Sequence, residues 1–187
     1  MGALRQDKRY TYADYYAWDD GKRWEIIDGI PYAMSPAPSR THQRILVELV
    51  GQLRDFLKGK PCEVFPAPFD VRLNALGDGD TDVFQPDILV VCDEAKLDEK
   101  GCNGAPDMVI EILSPSTAMR DRLLKFNAYQ RAGVREYWIV DPDSKTVLVC
   151  ILENENYIAR SYGESDAVPV HVLEGCTISL TDIFSIN

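Results

Sequence analysis

The sequence predicts an α/β chain of the α+β kind, with one mixed central β-sheet flanked by helices. Three observations carry this. Two short apolar runs, 87–91 (DILVV) and 108–113 (MVIEIL), are each opened by Pro-Asp and bounded by Pro, Gly and Asp. Their β-branched content and length mark them as buried strands. Between residues 39 and 59, Ile45, Leu46, Leu49, Leu53, Phe56 and Leu57 recur at the spacing of one helix face. The predicted elements run helix, strands, helix, strands, helix, strands, an order that suits helices packed on a mixed sheet.

Taken in order, residues 11–18 (TYADYYAW) form a short helix with Thr11 at its N-cap, and Asp19-Asp20-Gly21 a turn. Residues 24–28 and 30–34 flank Gly29 as a hairpin. The Pro-rich loop 35–39 ends in Ser39, the N-cap of a helix of about 17 residues that stops near Gly59. Its solvent face carries Arg44, Glu48, Arg54 and Lys58, and His42 lies on the apolar side of the first turn. Residues 62–73 alternate, but Pro66 and Pro68 confine them to an edge or bulged strand. Residues 74–82 (NALGDGDTD) lack the closing Glu and preceding helix of a calcium loop, and read as a solvated turn. The two apolar runs then form an antiparallel hairpin whose connection, 93–105, is polar and acidic. Residues 114–117 end the strand and cap a helix over 118–132, with Gly133 as its stop. Strands follow at 135–140, 145–152 and 157–162, then one or two short strands within 168–180 and a short helix from 180.

At 187 residues the chain has the length of one domain with a sizeable core. No apolar run approaches the ~20 residues of a membrane span, and the N-terminus has no apolar signal core. The expected location is the cytoplasm. The five Cys are odd in number and never spaced CxxC, which argues against a zinc knuckle or a disulfide framework. Cys62, Cys92 and Cys150 lie in or beside predicted strands, where a thiol serves as a small hydrophobe. The net charge of −10 weighs against nucleic acid when taken alone. Its distribution restores the option of a local basic face: residues 39–60 hold five Lys/Arg against two acids, and 120–135 five against one.

Glu111 is the anomaly. A carboxylate inside an apolar strand is costly to bury unless it is paired or binds a metal. An antiparallel hairpin sets the start of its first strand beside the end of its second, so Asp87 and Glu111 converge. Asp107 shares the face of Glu111 but lies four residues away, roughly 13 Å along the strand, and reads as a strand-start residue. Two carboxylates with a backbone carbonyl, that of Ile112, make an oxygen-rich site suited to Mg²⁺ or Mn²⁺ rather than zinc. A nearby Lys would offset the charge that develops during phosphoryl chemistry.

Pro86-Asp87 followed by a strand with Glu111 resembles the PD-(D/E)XK nuclease superfamily. The longer strings WEIIDG (24–29), MSPAPSRTHQRI (34–45), QPDILVV (85–91), VIEILSPST (109–117) and LLKFNAYQRAGVREYWIVDP (123–142) are similar to a large bacterial family of restriction-endonuclease-like proteins. The resemblance covers about residues 10–182 and implies one restriction-endonuclease-like domain over 1–187. The superfamily's Lys stands two residues after the Glu, where this chain has Leu113. The family moves that Lys to the following helix, where Lys125 stands in a polar stripe with Asp121 and Tyr129 while Met119, Leu123 and Phe126 face elsewhere and can pack on the sheet.

The resemblance therefore implies a Mg²⁺- or Mn²⁺-dependent endonuclease acting on DNA, with Asp87, Glu111 and Lys125 catalytic and Glu25 approaching from the N-terminal segment. His42 is a candidate for contacting a phosphate or positioning a water. Arg40, Arg44, Arg120 and Arg122 are candidates for a phosphate track. Ser114 and Ser116, with no GxSxG elbow, read as strand stop and cap. Two alternatives stay open at this point. One is a non-catalytic binding or assembly module, favoured by the acidic balance and the missing strand Lys. The other is a metal hydrolase of a different phosphate ester. Exposed strand edges and the aromatic pair Tyr137-Trp138 point to a homodimer, by analogy with nucleases that act in pairs.

Overall fold

The computed structural model describes residues 8–34, 37–114 and 120–185, with side chains from residue 123 onward in the last segment. The N-terminal part contains helix α1 (Tyr12–Tyr16), strands β1 (Trp24–Ile27) and β2 (Ile30–Ala33), and the long helix α2 (Arg40–Leu57). Next come β3 (Glu63–Pro66), β4 (Val71–Arg72), β5 (Val83–Phe84), β6 (Ile88–Val91), β7 (Leu97–Asp98), β8 (Gly101–Asn103) and β9 (Met108–Ile112). A π-helical turn, Arg120–Lys125, leads into α3 (Phe126–Ala132). The chain ends with β10 (Glu136–Asp141), β11 (Thr146–Glu153), β12 (Asn156–Gly163), β13 (Ala167–Pro169), β14 (Thr177–Ser179) and α4 (Leu180–Phe184).

Local chemistry sets the boundaries. Asp14 closes a capping box with Thr11 at the start of α1. Asp28 and Gly29, at φ 50° and 73°, form the two-residue left-handed turn that joins β1 to β2. The Ser39 hydroxyl accepts from the amide of His42 and caps α2. Gly133, at φ 85°, ends α3.

The main sheet has six strands in the order β12-β11-β10-β9-β6-β3. The predicted hairpin is present: β6 and β9 are antiparallel, with Ile88 opposite Ile110 and Leu89 opposite Val109. The polar segment after β9 and α3 carry the chain over to β10, which lies parallel to β9. Because side chains alternate along a strand, Ile88, Val90, Ile110 and Trp138 meet Ile45, Leu49 and Leu53 of α2 on one face. Leu89, Val109, Tyr137 and Ile139 meet Tyr129 of α3, together with Val71 and Phe84, on the other. Burial on both faces explains why these strands read as unbroken apolar runs.

The single predicted sheet is incomplete. A second six-stranded sheet, β2-β1-β5-β4-β8-β7, lies beside the first, and β13 pairs with β14. The connection 93–105, expected to be a loop, contributes β7 and β8 to this second sheet. Residues 62–73 are not one strand: β3 is the edge of the main sheet and β4 belongs to the other. Residues 74–82 are not simply solvated. Asp80 is buried and accepts from the amides of Asn74 and Asp82. Asp82 is buried as well and accepts from the amide of Asp28.

Two further expectations are corrected. Cys62 and Cys92 are joined in a disulfide, with Cα atoms 3.9 Å apart. The β3–β6 register sets Glu63 opposite Val91, so the next residues out, 62 and 92, face one another. Cys102, Cys150 and Cys176 are buried free thiols. Tyr137 and Trp138 are fully buried in the central strand β10 and supply no exposed aromatic surface for a homodimer. Among the described residues no helix is long and apolar enough to cross a membrane.

Candidate active site

The main sheet opens at the start of β6 and the end of β9. Extending the β6–β9 register by one residue sets Asp87 opposite Glu111, as the hairpin predicted. Asp87 is anchored there. Its Oδ2 accepts from the amide of Ile112 at 2.7 Å and lies 3.2 Å from Nε2 of His42. His42 reaches it because the Ser39 cap starts α2 with this imidazole on the sheet side, and the residue is buried. Its place on the apolar side of the helix is thus compatible with a polar partner.

Glu111 faces the opposite side of the sheet from Ile110 and Ile112, towards α3. Its Oε1 accepts from Nζ of Lys125 at 2.8 Å and from the Tyr129 hydroxyl at 2.9 Å. The four-residue spacing of Lys125 and Tyr129 brings both to one oxygen, with Lys125 closing the π-helical turn. Lys125 also lies 2.9 Å from Oε1 of Glu25, which projects from β1 of the second sheet. The amide of Gln85 donates to that same Glu25 oxygen at 3.2 Å. Glu25, Glu111 and Lys125 are 1%, 3% and 4% exposed. Burial, then the Glu111 and Glu25 carboxylates, push the Tyr129 phenol well above its ordinary value, so it serves as a neutral donor.

The structure brings Glu111, Lys125 and Glu25 together in one buried group, and pairs Asp87 with His42 at the adjoining start of β6. The predicted polar stripe is different in character: Lys125 and Tyr129 point inward, Leu123 is exposed rather than packed on the sheet, and Phe126 packs. The Asp121, Arg120 and Arg122 side chains, with Met119 and Ser116, lie outside the described residues. Arg40 and Arg44 line a shallow open hollow along the outside of α2 with Gln43, Val47 and Glu48. Asp107 has a structural role, accepting from the amide of Cys92 at 2.6 Å and pairing with Arg135. Gln85 escaped the sequence reading. Its position immediately before Pro86-Asp87 was the available signal.

The Glu111 and Glu25 carboxylates share the Lys125 ammonium, while Asp87, half-buried, pairs with His42. The donors are hard oxygens, which suits Mg²⁺ or Mn²⁺ with water completing the shell. Among the described residues no group of three or more His, Cys, Asp or Glu is placed to hold a metal ion.

A curated relative, "Uncharacterized protein slr1290" of Synechocystis sp. (strain ATCC 27184 / PCC 6803 / Kazusa), is 30% identical over 157 residues. That match covers 82% of this chain and 80% of the relative. A crystal structure of "a putative nuclease belonging to DUF820" from Anabaena variabilis ATCC 29413 superposes with a TM-score of 0.74 at 24% identity. It covers 94% of this chain and 97% of the other, and shows a shared fold. Residues 12–181 match the model of the Uma2 family, described as "Putative restriction endonuclease". This span holds every residue of the site, and the chain belongs to the Uma2 family.

Proposed function

We propose that the protein is a divalent-metal-dependent nuclease that hydrolyses phosphodiester bonds of DNA. The observation that carries this reading is the buried Lys125 ammonium bracketed by the Glu25 and Glu111 carboxylates, beside the half-buried Asp87 that pairs with His42. Carboxylate oxygens at the start of β6 and the end of β9 are the hard donors that a divalent cation takes. Asp87, Glu111 and the Ile112 carbonyl would hold Mg²⁺ or Mn²⁺, which when bound supplies Lewis acidity toward a phosphoryl oxygen.

The remaining work falls to the chain. Lys125, held between Glu25 and Glu111, presents a fixed positive charge to the pentavalent phosphorus of the transition state. His42 fixes the Asp87 carboxylate from the α2 side and is the nearest imidazole to a water attacking there. Arg40 and Arg44 extend a cationic surface along α2 for the substrate backbone, which reconciles nucleic-acid binding with an acidic chain. Membership of a family described as "Putative restriction endonuclease" supports the same reading.

The test is cleavage of plasmid and single-stranded DNA in Mg²⁺ and in Mn²⁺ by wild type, Asp87→Ala and Lys125→Ala. Cleavage by wild type alone is expected. Equal cleavage by all three proteins would trace the activity to a contaminant and overturn the assignment. Lys125→Ala leaves Glu25 and Glu111 buried face to face, so its unloaded form should also melt earlier than wild type.

A further inference from the structure

We propose that Gln85 is a positioning residue: it fixes the relative placement of Glu25 and Asp87, and through Glu25 the alignment of Lys125. Gln85 is buried, and its side-chain amide is used in full. Its Oε1 accepts from Nε and Nη2 of Arg23 at 2.8 and 2.6 Å. Its Nε2 donates to the Tyr15 hydroxyl and to Oδ1 of Asp70, both at 2.8 Å. Its backbone amide donates to Glu25. A buried amide with every donor and acceptor engaged has one orientation.

The consequence follows from chain connectivity. Arg23 and Glu25 stand two residues apart at the start of β1, so Gln85 grips that segment twice, once through its side chain and once through its backbone. On its other side Gln85 is followed by Pro86, which fixes its own φ and restricts the residue before it to extended conformations. Asp87 comes next. Gln85-Pro86-Asp87 is therefore a short stiff strut between the strand that carries Glu25 and the hairpin that carries Glu111. Tyr15 and Asp70 support its outer end, and the Tyr15 hydroxyl donates to the same Asp70 oxygen at 2.9 Å. A carboxylate at position 85 would repel Asp70, and an apolar side chain would leave the Gln85 partners without their bonds. Only an amide satisfies Arg23, Tyr15 and Asp70 together.

The part of this inference that concerns turnover rests on the nuclease reading. Its geometric content does not, and is tested on the ion-free protein by ¹⁵N NMR of the lysine ammonium groups. A Lys125 ammonium held between two buried carboxylates exchanges slowly and gives a resolved signal in wild type. Gln85→Met is expected to lose that signal while core amide dispersion is kept, and to weaken Mn²⁺ binding by about 10–100-fold. Gln85→Glu alone should also lose the signal, and Gln85→Glu combined with Asp70→Asn, which exchanges amide and carboxylate, should regain it. An unchanged Lys125 signal in Gln85→Met overturns the proposal. Should Gln85→Met fail to fold, equal signals in the Gln85→Glu single and double variants overturn it. Failure of wild type to bind Mn²⁺ or cleave DNA, with the signal pattern as expected, would count against the nuclease reading and leave the strut standing.

Discussion

Lys125 carries the same side chain that the resemblance assigned to catalysis, but its setting is not that of a surface lysine. It bridges carboxylates from two sheets, and Tyr129 adds a neutral donor to one of them. Tyr129→Phe removes only that hydroxyl. Hydrogen bonds to charged groups are worth about 1.5–3 kcal/mol, and a loss of that size is expected in urea denaturation of the ion-free protein. A change near zero would mean that the phenol does not hold Glu111. Leu113 occupies the position of the superfamily's Lys and is buried in the cluster under α3. Leu113→Lys therefore should not restore the standard arrangement. It should cost about 3–5 kcal/mol by burying an unmatched charge, measurable as a fall in the unfolding midpoint. A variant as stable as wild type would show that the new ammonium finds the Glu111 site.

At the scale of elements, the β3–β6 pair is closed by the Cys62–Cys92 disulfide, at the end of β6 away from Asp87. The sequence separation of 30 residues sets its worth in the chain-entropy model, about 3–4 kcal/mol. Cys62→Ser with Cys92→Ser should lose that much stability in denaturation without reductant, and wild type should approach the variant when reductant is added. Equal stability in all three conditions would show the bond to be absent in solution. The short strands β4, β5, β7 and β8 were not legible because two or three residues are too few to show a period-2 pattern. The hairpin, the caps of α1 and α2 and the Gly133 stop were legible because each is made by neighbours along the chain.

Over the whole molecule, the half-buried Asp70 and the buried Glu136 oppose folding at neutral pH. Burial raises Asp70 above its ordinary 3.8, although hydrogen bonds from Gln85 and Tyr15 pull it back. Burial likewise raises Glu136 above 4.5, against bonds from the Val172 amide and the Trp138 indole. In the window from these ordinary values up to the raised ones, the folded state holds protons that the unfolded state has released. Stability from these groups is thus full at acid pH and lost as pH rises through the raised values. Asp98 and Asp14 are shifted the other way by Arg72 and Lys8, but both are largely solvent-screened. Melting temperature against pH should therefore decline less steeply above pH ~4–5 in Asp70→Asn than in wild type. Parallel curves would refute a proton held at Asp70.

The chain by itself determined the α+β class and the central hairpin that sets the start of β6 beside the end of β9. These follow from periodicity, caps and strand register, which act over a few residues or across one turn. It also singled out Lys125 through its polar stripe together with the resemblance, Glu25 through the resemblance, and His42 through its place in the first turn of α2. Only the tertiary structure decided that Lys125 bridges Glu25 and Glu111, that Gln85 ties Arg23 to Asp70, that Cys62 meets Cys92 and that a second sheet exists. Gln85 and Arg23 are 62 positions apart. Contacts at that range are selected by packing and by the need to satisfy buried polar groups, and no pattern along the chain encodes them one pair at a time.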